Sequence, residues 1–216
     1  WQQVFSFNGH DGASGPVDGL LLAEGGSFWG VTNGRNDREP STLFEFNPHT
    51  VTLTTIATST NRRFLVRPII GTSTSRPDAR IGPDGQIWGT SNAAVYRFDR
   101  RTKSLSIVLE LTGKDGAHPG DKIRGSLVAD GLGYLWGTAA EGGVKNQGTI
   151  FKIEVASGKA TTVVQFTGRT GTAIGEHPWS ALTPDGKGYL WGTTRGSGKH
   201  RHTNDRDGGT LFKIHA

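Results

Sequence analysis

Apolar and polar residues alternate in short runs along the whole chain, and clusters of Gly, Asp and Pro separate the runs. Four of these runs read TLFEF, AVYRF, TIFKI and TLFKI. Their alternation places one aromatic residue at the same step of each run, namely Phe44, Tyr96, Phe151 and Phe212. A period of two residues is typical of β-strands that bury one face. The pattern therefore predicts an all-β protein, and it contains no amphipathic helix.

A second pattern repeats around tryptophan, in the segments SFWGVT, QIWGTS, YLWGTA and YLWGTT. The intervals between Trp29, Trp88, Trp136 and Trp191 are 59, 48 and 55 residues, and the two chain ends together make another interval of 54. A repeat of this length, four strands per unit, predicts a four-bladed β-propeller of antiparallel strands spanning residues 1–216 as one domain. The N-terminal segment QVFSF, from Gln3, is then expected to complete the last blade. An open array or a sandwich of short strands is the alternative.

The repeated frame LWGT(T/A)xxGG…GT(I/L)FKI, with its (F/L)TGxxG loop and DG turn, resembles the bacterial tandem-repeat propeller family called GloVer repeats. In that family GxLYGTT and GTVFK recur. The resemblance covers nearly the whole chain and implies the propeller fold, but it implies no activity. The second unit departs from the pattern, with TSTNRRFLVRPIIGTSTSRPDAR in place of the TGxxGA loop.

Charge and composition narrow the classes of partner. The formal net charge is +5, which favours acidic partners such as anionic glycans. The absence of Cys excludes disulfides and thiolate metal sites. No apolar run is long enough to span a bilayer, and the chain begins at Trp1 without Met. We therefore expect a secreted monomer whose signal has been removed, with no membrane contact and no cofactor.

The long loops are predicted to lie on one face of the disc, because the opposite face holds the tight DG and NPHT turns. After the shared TG or NG of three crossovers stand His10, Lys114 and Arg169, and the second unit offers Arg62 and Arg63. A ring of cations suits a polymer that carries carboxylate or sulfate groups. The alternative is that these are ordinary solvated loop positions.

Alignment of the units backwards from the DG turn brings four unlike residues to one position before the inner strand. These residues are Asp18, Asp78, Arg124 and Trp179, and one step back along the crossovers lie Pro16, Arg76, Lys122 and His177. A purely structural position would hold similar residues, so the set indicates one composite site for a sugar: Trp stacks on the ring, Arg binds an acidic group, and carboxylates or His transfer protons. The alternative is a solvent-wetted rim.

The longest loop contains Lys199, His200, Arg201 and His202. It suits a basic flap over an anionic ligand, or a solvated loop. The HxH spacing lacks a third ligand, so no metal site is predicted.

The sequence therefore predicts a protein that cleaves an acidic, uronate-containing polysaccharide or oligosaccharide, with β-elimination favoured over hydrolysis. The predicted catalytic residues are His177, Asp18, Asp78, His10 and His118. The predicted substrate-binding residues are Arg124, Trp179, Arg169, Lys114, Arg62, Arg63, Lys122, Arg76, Arg80, Glu176 and His200. A non-catalytic, lectin-like propeller is the alternative, and a partner-binding scaffold is the third possibility. Nucleic acid is disfavoured, because only Trp179 supplies a stacking ring among the cations.

Overall fold

The computed structural model describes residues 1–7, 20–32, 41–59, 67–68, 82–197 and 208–216. Within them the chain is all-β, with sixteen strands in four antiparallel sheets. The first sheet contains β1 (Leu21–Leu22), β2 (Phe28–Thr32), β3 (Ser41–Asn47) and β4 (Thr52–Ser59). The second contains β5 (Arg67–Pro68), β6 (Ile87–Thr90), β7 (Ala94–Asp99) and β8 (Ser104–Glu110). The third contains β9 (Asp121–Ile123), β10 (Val128–Ala129), β11 (Tyr134–Glu141), β12 (Thr149–Glu154) and β13 (Ala160–Gln165). The fourth contains β14 (Thr183–Pro184), β15 (Tyr189–Thr194) and β16 (Thr210–His215).

Each sheet corresponds to one repeat of the sequence, which confirms the predicted all-β, antiparallel class. The one helical element in the described part of the chain is a short 3-10 turn at Glu24–Gly26. No helix in these ranges has the length and apolarity needed to cross a bilayer.

The DG turn holds the tryptophan strand in place. In the third sheet one carboxylate oxygen of Asp130 accepts hydrogen bonds from the backbone N–H groups of Leu132 (2.7 Å) and Tyr134 (3.1 Å). Its other oxygen accepts one from the indole Nε1 of Trp136 (2.9 Å). Asp185 makes the same set of bonds in the fourth sheet. The Asp that shapes the turn thus also satisfies the indole donor.

In the first, third and fourth sheets the glycine after the tryptophan makes room for the aromatic residue of the next strand. Gly137 pairs with Phe151 across β11 and β12, and a Cβ at Gly137 would lie 2.4 Å from Cζ of that ring. Gly30 and Gly192 stand in the same relation to Phe44 and Phe212. The WGT and GT(I/L)FKI motifs are therefore two halves of one packing contact.

Neighbouring sheets pack through the tryptophans. Trp29 lies 5.0 Å from Phe98 of the second sheet, ring centre to ring centre. Trp88 is buried in the cluster that contains Leu127 of the third sheet, and Trp136 in the cluster that contains Leu190 of the fourth. Trp191 of the fourth sheet is 37% exposed. The sheets are thus packed in chain order from first to fourth, and the contact that would close a ring is not seen among the described residues.

The N-terminal segment was predicted to complete the last sheet, and the structure differs. Residues 1–7 form no strand, and in the part of the chain that the structure describes the fourth sheet ends at β16 with three strands. Instead Phe7 packs on Phe44 and Phe5 on Phe46, with ring centres 5.3 and 5.7 Å apart. The physical reason is apolar burial: these two rings cover the aromatic residues of β3, which would otherwise face water.

Candidate functional site

The crossovers into the third and fourth sheets have the same backbone and different side chains. A constant offset of 55 residues relates LTGKDGAHPGDKIRG to FTGRTGTAIGEHPWS. Both crossovers are closed by a bridge between two glycines, Gly113 to Gly120 and Gly168 to Gly175. Both place a residue other than glycine in the left-handed region, Lys122 with φ 58° and His177 with φ 52°. The side chains alone therefore make the two crossovers chemically different.

Trp179 is the centre of the candidate site, and half of its surface is exposed (50%). The guanidinium carbon of Arg195 lies 4.7 Å from the centre of its ring, and that of Arg124 lies 5.6 Å away. Both distances fall within the range of attraction between a cation and an aromatic ring. We call Trp179, Arg124 and Arg195 the Trp179 platform. It presents an apolar ring face beside two permanent positive charges.

Close packing of the third and fourth sheets brings these residues together. Gly125 lies against the backbone of the fourth sheet, where a Cβ would be 2.5 Å from the nitrogen of Ala181. The hydroxyl of Thr138 donates a hydrogen bond to the carbonyl of Ser180 (3.0 Å). Arg124 immediately precedes Gly125, and Trp179 immediately precedes Ser180. The same contact between sheets therefore sets Arg124 beside Trp179.

His177 is held by backbone groups on both sides. Its Nδ1 lies 2.8 Å from the carbonyl oxygen of Ala140, and its backbone N–H donates to the carbonyl of Gln147 (2.9 Å). Because a carbonyl oxygen only accepts, Nδ1 carries the proton. In the neutral ring the lone pair is then on Nε2, which suits a proton acceptor. The ring is partly buried.

Glu176 lies next to Arg195 in the same backbone bridge. Glu176 pairs with Gly196, and its backbone carbonyl accepts from the N–H of Arg195 (3.1 Å). A Cβ at Gly196 would lie 2.2 Å from Oε1 of Glu176, so the carboxylate rests directly on this glycine. The absence of a side chain at residue 196 is what leaves room for the carboxylate.

Lys122 occupies the position of His177 one unit earlier, and it is not part of the platform. Its Nζ lies 2.6 Å from Oε1 of Glu141 in an ion pair with partly exposed side chains. The substrate-binding role of Lys122 stays a prediction, and its ammonium group is paired within the third unit.

The other predicted residues fall into two groups. Lys114 and Arg169 are exposed in the two glycine-bridged loops, and the partly buried His118 lies in the first of them. No hydrogen bond, ion pair or ring contact among the described residues joins Lys114 or His118 to the platform. Eight predicted residues lie outside the described residues: Asp18, Asp78, His10, Arg62, Arg63, Arg76, Arg80 and His200. Within the described ranges, no group of three His, Cys, Asp or Glu side chains could hold a metal ion.

Sequence reasoning missed Arg195. The residue directly follows the YLWGTT strand, and the corresponding residue in the third unit is Ala140. That departure from the frame was a signal that could have found it, since the same comparison of units identified Trp179. Its neighbour in space, Trp179, lies 16 positions earlier in the chain.

Solved structures with a similar fold are β-propeller-like. Two structures of an extracellular domain of a B. thetaiotaomicron signalling system, described as a hybrid two-component and as a one-component system, match with TM-scores of 0.57 and 0.55. Both are 13% identical to this chain and match 97% and 95% of it. The match covers 21% of each of those chains, so this chain spans about a fifth of their length. At this identity the likeness concerns the fold alone.

An oligogalacturonate lyase in complex with manganese matches with a TM-score of 0.47 at 11% identity, over 90% of this chain and 48% of that one. A likeness at that level supports no argument about activity. No protein of curated function matches the sequence significantly. The sequence model of the Gloeobacter/Verrucomicrobia repeat matches residues 69–216.

Proposed function

The chain belongs to the Gloeobacter/Verrucomicrobia repeat family, and we propose that this member is a carbohydrate-active protein that binds an acidic, uronate-containing glycan on the Trp179 platform. The observation that carries the proposal is the half-exposed indole with the guanidinium groups of Arg195 and Arg124 at 4.7 and 5.6 Å from its centre.

The chemistry of the three side chains fits a uronate ring. The face of an indole is a large apolar surface, and the C–H face of a sugar can stack on it. A guanidinium group stays charged at any physiological pH and can bind a carboxylate through two parallel hydrogen bonds. A sugar stacked on Trp179 would therefore have its carboxylate within reach of Arg195 or Arg124. A neutral sugar would gain only the stacking contact.

Cleavage by β-elimination is the reaction that these residues would serve. An arginine that binds the uronate carboxylate would make the C5 proton more acidic, and Nε2 of His177 would accept that proton. The electron pair of the C5–H bond would form the C4–C5 double bond while the C4–O bond breaks. The leaving oxygen would take a proton from water. Hydrolysis would need a second carboxylate opposite Glu176, and Asp18 and Asp78 lie outside the described residues.

A lectin-like protein that binds without cleavage is the second candidate. The exposure of the platform favours it, because Trp179, Arg124 and Arg195 all face solvent. Catalytic electrostatics are strongest where water is excluded, whereas recognition of a surface glycan needs only an accessible ring and charges.

We also propose that the protein is secreted, because uronate-containing polysaccharides lie outside cells. Four sheets would form a four-bladed propeller if the fourth met the first, with the platform near its axis. The platform itself needs only the contact between the third and fourth sheets.

The test is titration calorimetry with short oligosaccharides of galacturonate, glucuronate and mannuronate, together with their carboxyl-reduced neutral counterparts. We expect binding of at least one uronate series, at least tenfold weaker binding of its neutral counterpart, and loss of binding in Trp179→Ala. Lys187→Gln is the matched control: it removes one cation in the turn before β15, at the end of that strand away from residue 195. Equal affinity for acidic and neutral sugars, or full binding by Trp179→Ala, would refute the proposal.

The same mixtures distinguish the two candidates. A rise in ultraviolet absorbance from unsaturated ends supports elimination, and its loss in His177→Ala with binding retained supports His177 as the base. New reducing ends without that absorbance indicate hydrolysis. Binding without either product leaves the lectin-like protein.

A further inference from the structure

The outer end of the fourth sheet is uncovered, unlike the same place in the third. Leu211 of β16 is 70% exposed, whereas Ile150 at the equivalent position of β12 is 1% exposed. Trp191 is 37% exposed, whereas Trp136 is 0% exposed. Both pairs have nearly the same residues on the same frame. The difference therefore arises from what lies over them.

Two elements cover these positions in the third unit. The outer strand β13 pairs with β12 and sets Val164 opposite Ile150. Beyond it, Leu182 and Leu190 of the following sheet pack in the cluster that buries Trp136. The fourth sheet has neither element, because β16 is paired only with β15 in the part of the chain that the structure describes.

The missing elements are present at the other end of the chain. The segment QVFSF aligns with TVVQF of the third unit. Phe7 contacts Phe44 at 5.3 Å and 64°, nearly as Phe166 contacts Phe212 at 5.4 Å and 61°. The N-terminal segment thus lies on the first sheet as the end of an outer strand lies on the sheet that follows it.

The first sheet also carries the apolar residues that would cover a tryptophan. Leu20 directly precedes β1 and is 45% exposed, and Phe28 begins β2, the strand that contains Trp29. Leu20 and Phe28 stand at the positions of Leu182 and Leu190, which help to bury Trp136. Leu20 lies over Gly30 as Leu182 lies over Gly192.

These two ends are complementary, but the described residues of one chain do not join them. We propose that a second copy of this chain supplies the missing elements: its segment Gln3–Phe7 adds a strand to β16, and its first sheet packs over Trp191. Addition of a strand to an open edge satisfies the free backbone groups of that edge and also covers Leu211. Because the two ends are different surfaces, the contact is head-to-tail. Two copies use both ends of each chain and form a closed ring.

The experiment measures the mass of the full chain by sedimentation over a range of concentrations. Leu211→Lys places a charge on the exposed face of β16. A Gln3→Pro/Ser6→Pro double variant removes two amide donors from the N-terminal segment, which has to pair as a strand in the dimer. We expect a dimer for the original chain and at least a tenfold rise in the dimer dissociation constant for each variant. Unchanged circular dichroism shows that each variant is folded. Val163→Lys, at an exposed position of β13, is the matched control and should leave the dimer intact.

Mixing the two variants tests the head-to-tail geometry. A mixed dimer has one contact in which both ends are undamaged, so the mixture should regain dimer that neither variant forms alone. A monomer at every concentration, an assembly larger than two copies, or a dimer that tolerates both variants would overturn the proposal. If the chain is a monomer, the fluorescence of Trp191→Phe tests whether Trp191 is covered. An unchanged contribution from solvent-exposed tryptophans would mean that Trp191 is buried and that the chain closes on itself.

Discussion

The third and fourth units of this protein share one backbone and use it differently. In the third, Lys122 and Glu141 neutralise each other 2.6 Å apart. In the fourth, His177 and Gly196 stand at those two positions, so no ion pair forms there. Arg195 replaces Ala140 beside them and reaches over Trp179. A few side-chain changes on a fixed backbone thus convert a self-contained crossover into an open, basic, aromatic surface.

The same two units also differ at their outer ends. The third is covered by an outer strand and by a following sheet, whereas among the described residues neither element covers the fourth. The comparison separates two kinds of position. Frame residues such as Asp130 and Asp185 repeat because the third and fourth units need the same turn and the same indole acceptor. Residues at the crossovers and the outer edge respond to what each unit touches.

The largest expected difference between the units is the cost of removing their tryptophans. Trp136→Ala removes a fully buried ring, and we expect it to lower the free energy of unfolding by about 3–5 kcal/mol. Trp191→Ala should cost much less in dilute protein, because part of that ring already faces water. Urea denaturation followed by circular dichroism measures both. Equal costs would show that Trp191 is as well covered as Trp136.

The next effect concerns ligand affinity. Arg195→Ala restores the residue of the third unit, and we expect it to weaken binding of the acidic oligosaccharide by about tenfold to a hundredfold, since a charge-assisted hydrogen bond contributes about 1.5–3 kcal/mol. Arg195→Lys keeps the charge but loses the planar guanidinium group that can donate two parallel hydrogen bonds. Its affinity should therefore fall between those of the original chain and Arg195→Ala. Titration calorimetry with the same oligosaccharide measures the dissociation constant of each variant. Unchanged affinity in Arg195→Ala would remove this residue from the site.

A smaller effect is expected for the ion pair of the third unit. The side chains of Lys122 and Glu141 are 41% and 33% exposed, so a double-mutant cycle with Lys122→Gln and Glu141→Gln should give a coupling free energy below about 1 kcal/mol. The coupling should shrink further in high salt. A coupling of several kcal/mol would mean that the pair organises the crossover. The difference between the two units would then be structural as well as chemical.

The smallest effect concerns acid stability. A hydrogen bond from the backbone N–H of Lys187, with further ones from Tyr189 and the Trp191 indole, lowers the pKa of Asp185 below its ordinary 3.8. A lowered native pKa means that the stabilisation is complete above the unfolded pKa and is lost as pH falls through the native value. Asp185→Asn should therefore lower the melting temperature at neutral pH and make less difference in acid, well below the ordinary pKa of 3.8. A difference that is the same at both pH values would contradict this assignment.

Several features of the fold and site followed from the sequence. The alternation of TIFKI and the Trp repeat predicted the sheets, because burial of one strand face is a local property of the chain. Alignment from the DG turn placed Arg124 and Trp179 at one equivalent position, and the structure brings them into contact. Arg195 escaped that alignment, because it lies after the Trp strand and not before the inner strand. The ion pair of Lys122 with Glu141 was not predicted either, because the two residues lie 19 positions apart.

The sequence by itself determined the kind of strand, the turns between strands and the number of repeats, since those depend on residues a few positions apart. Tertiary structure alone decided which cations meet Trp179, because Arg124 comes from the third sheet and its distance depends on how closely Gly125 packs against Ala181. It also decided that β16 and Trp191 are uncovered by the chain's own N-terminal segment. Contacts between distant elements depend on the packing of whole sheets, which no local pattern encodes.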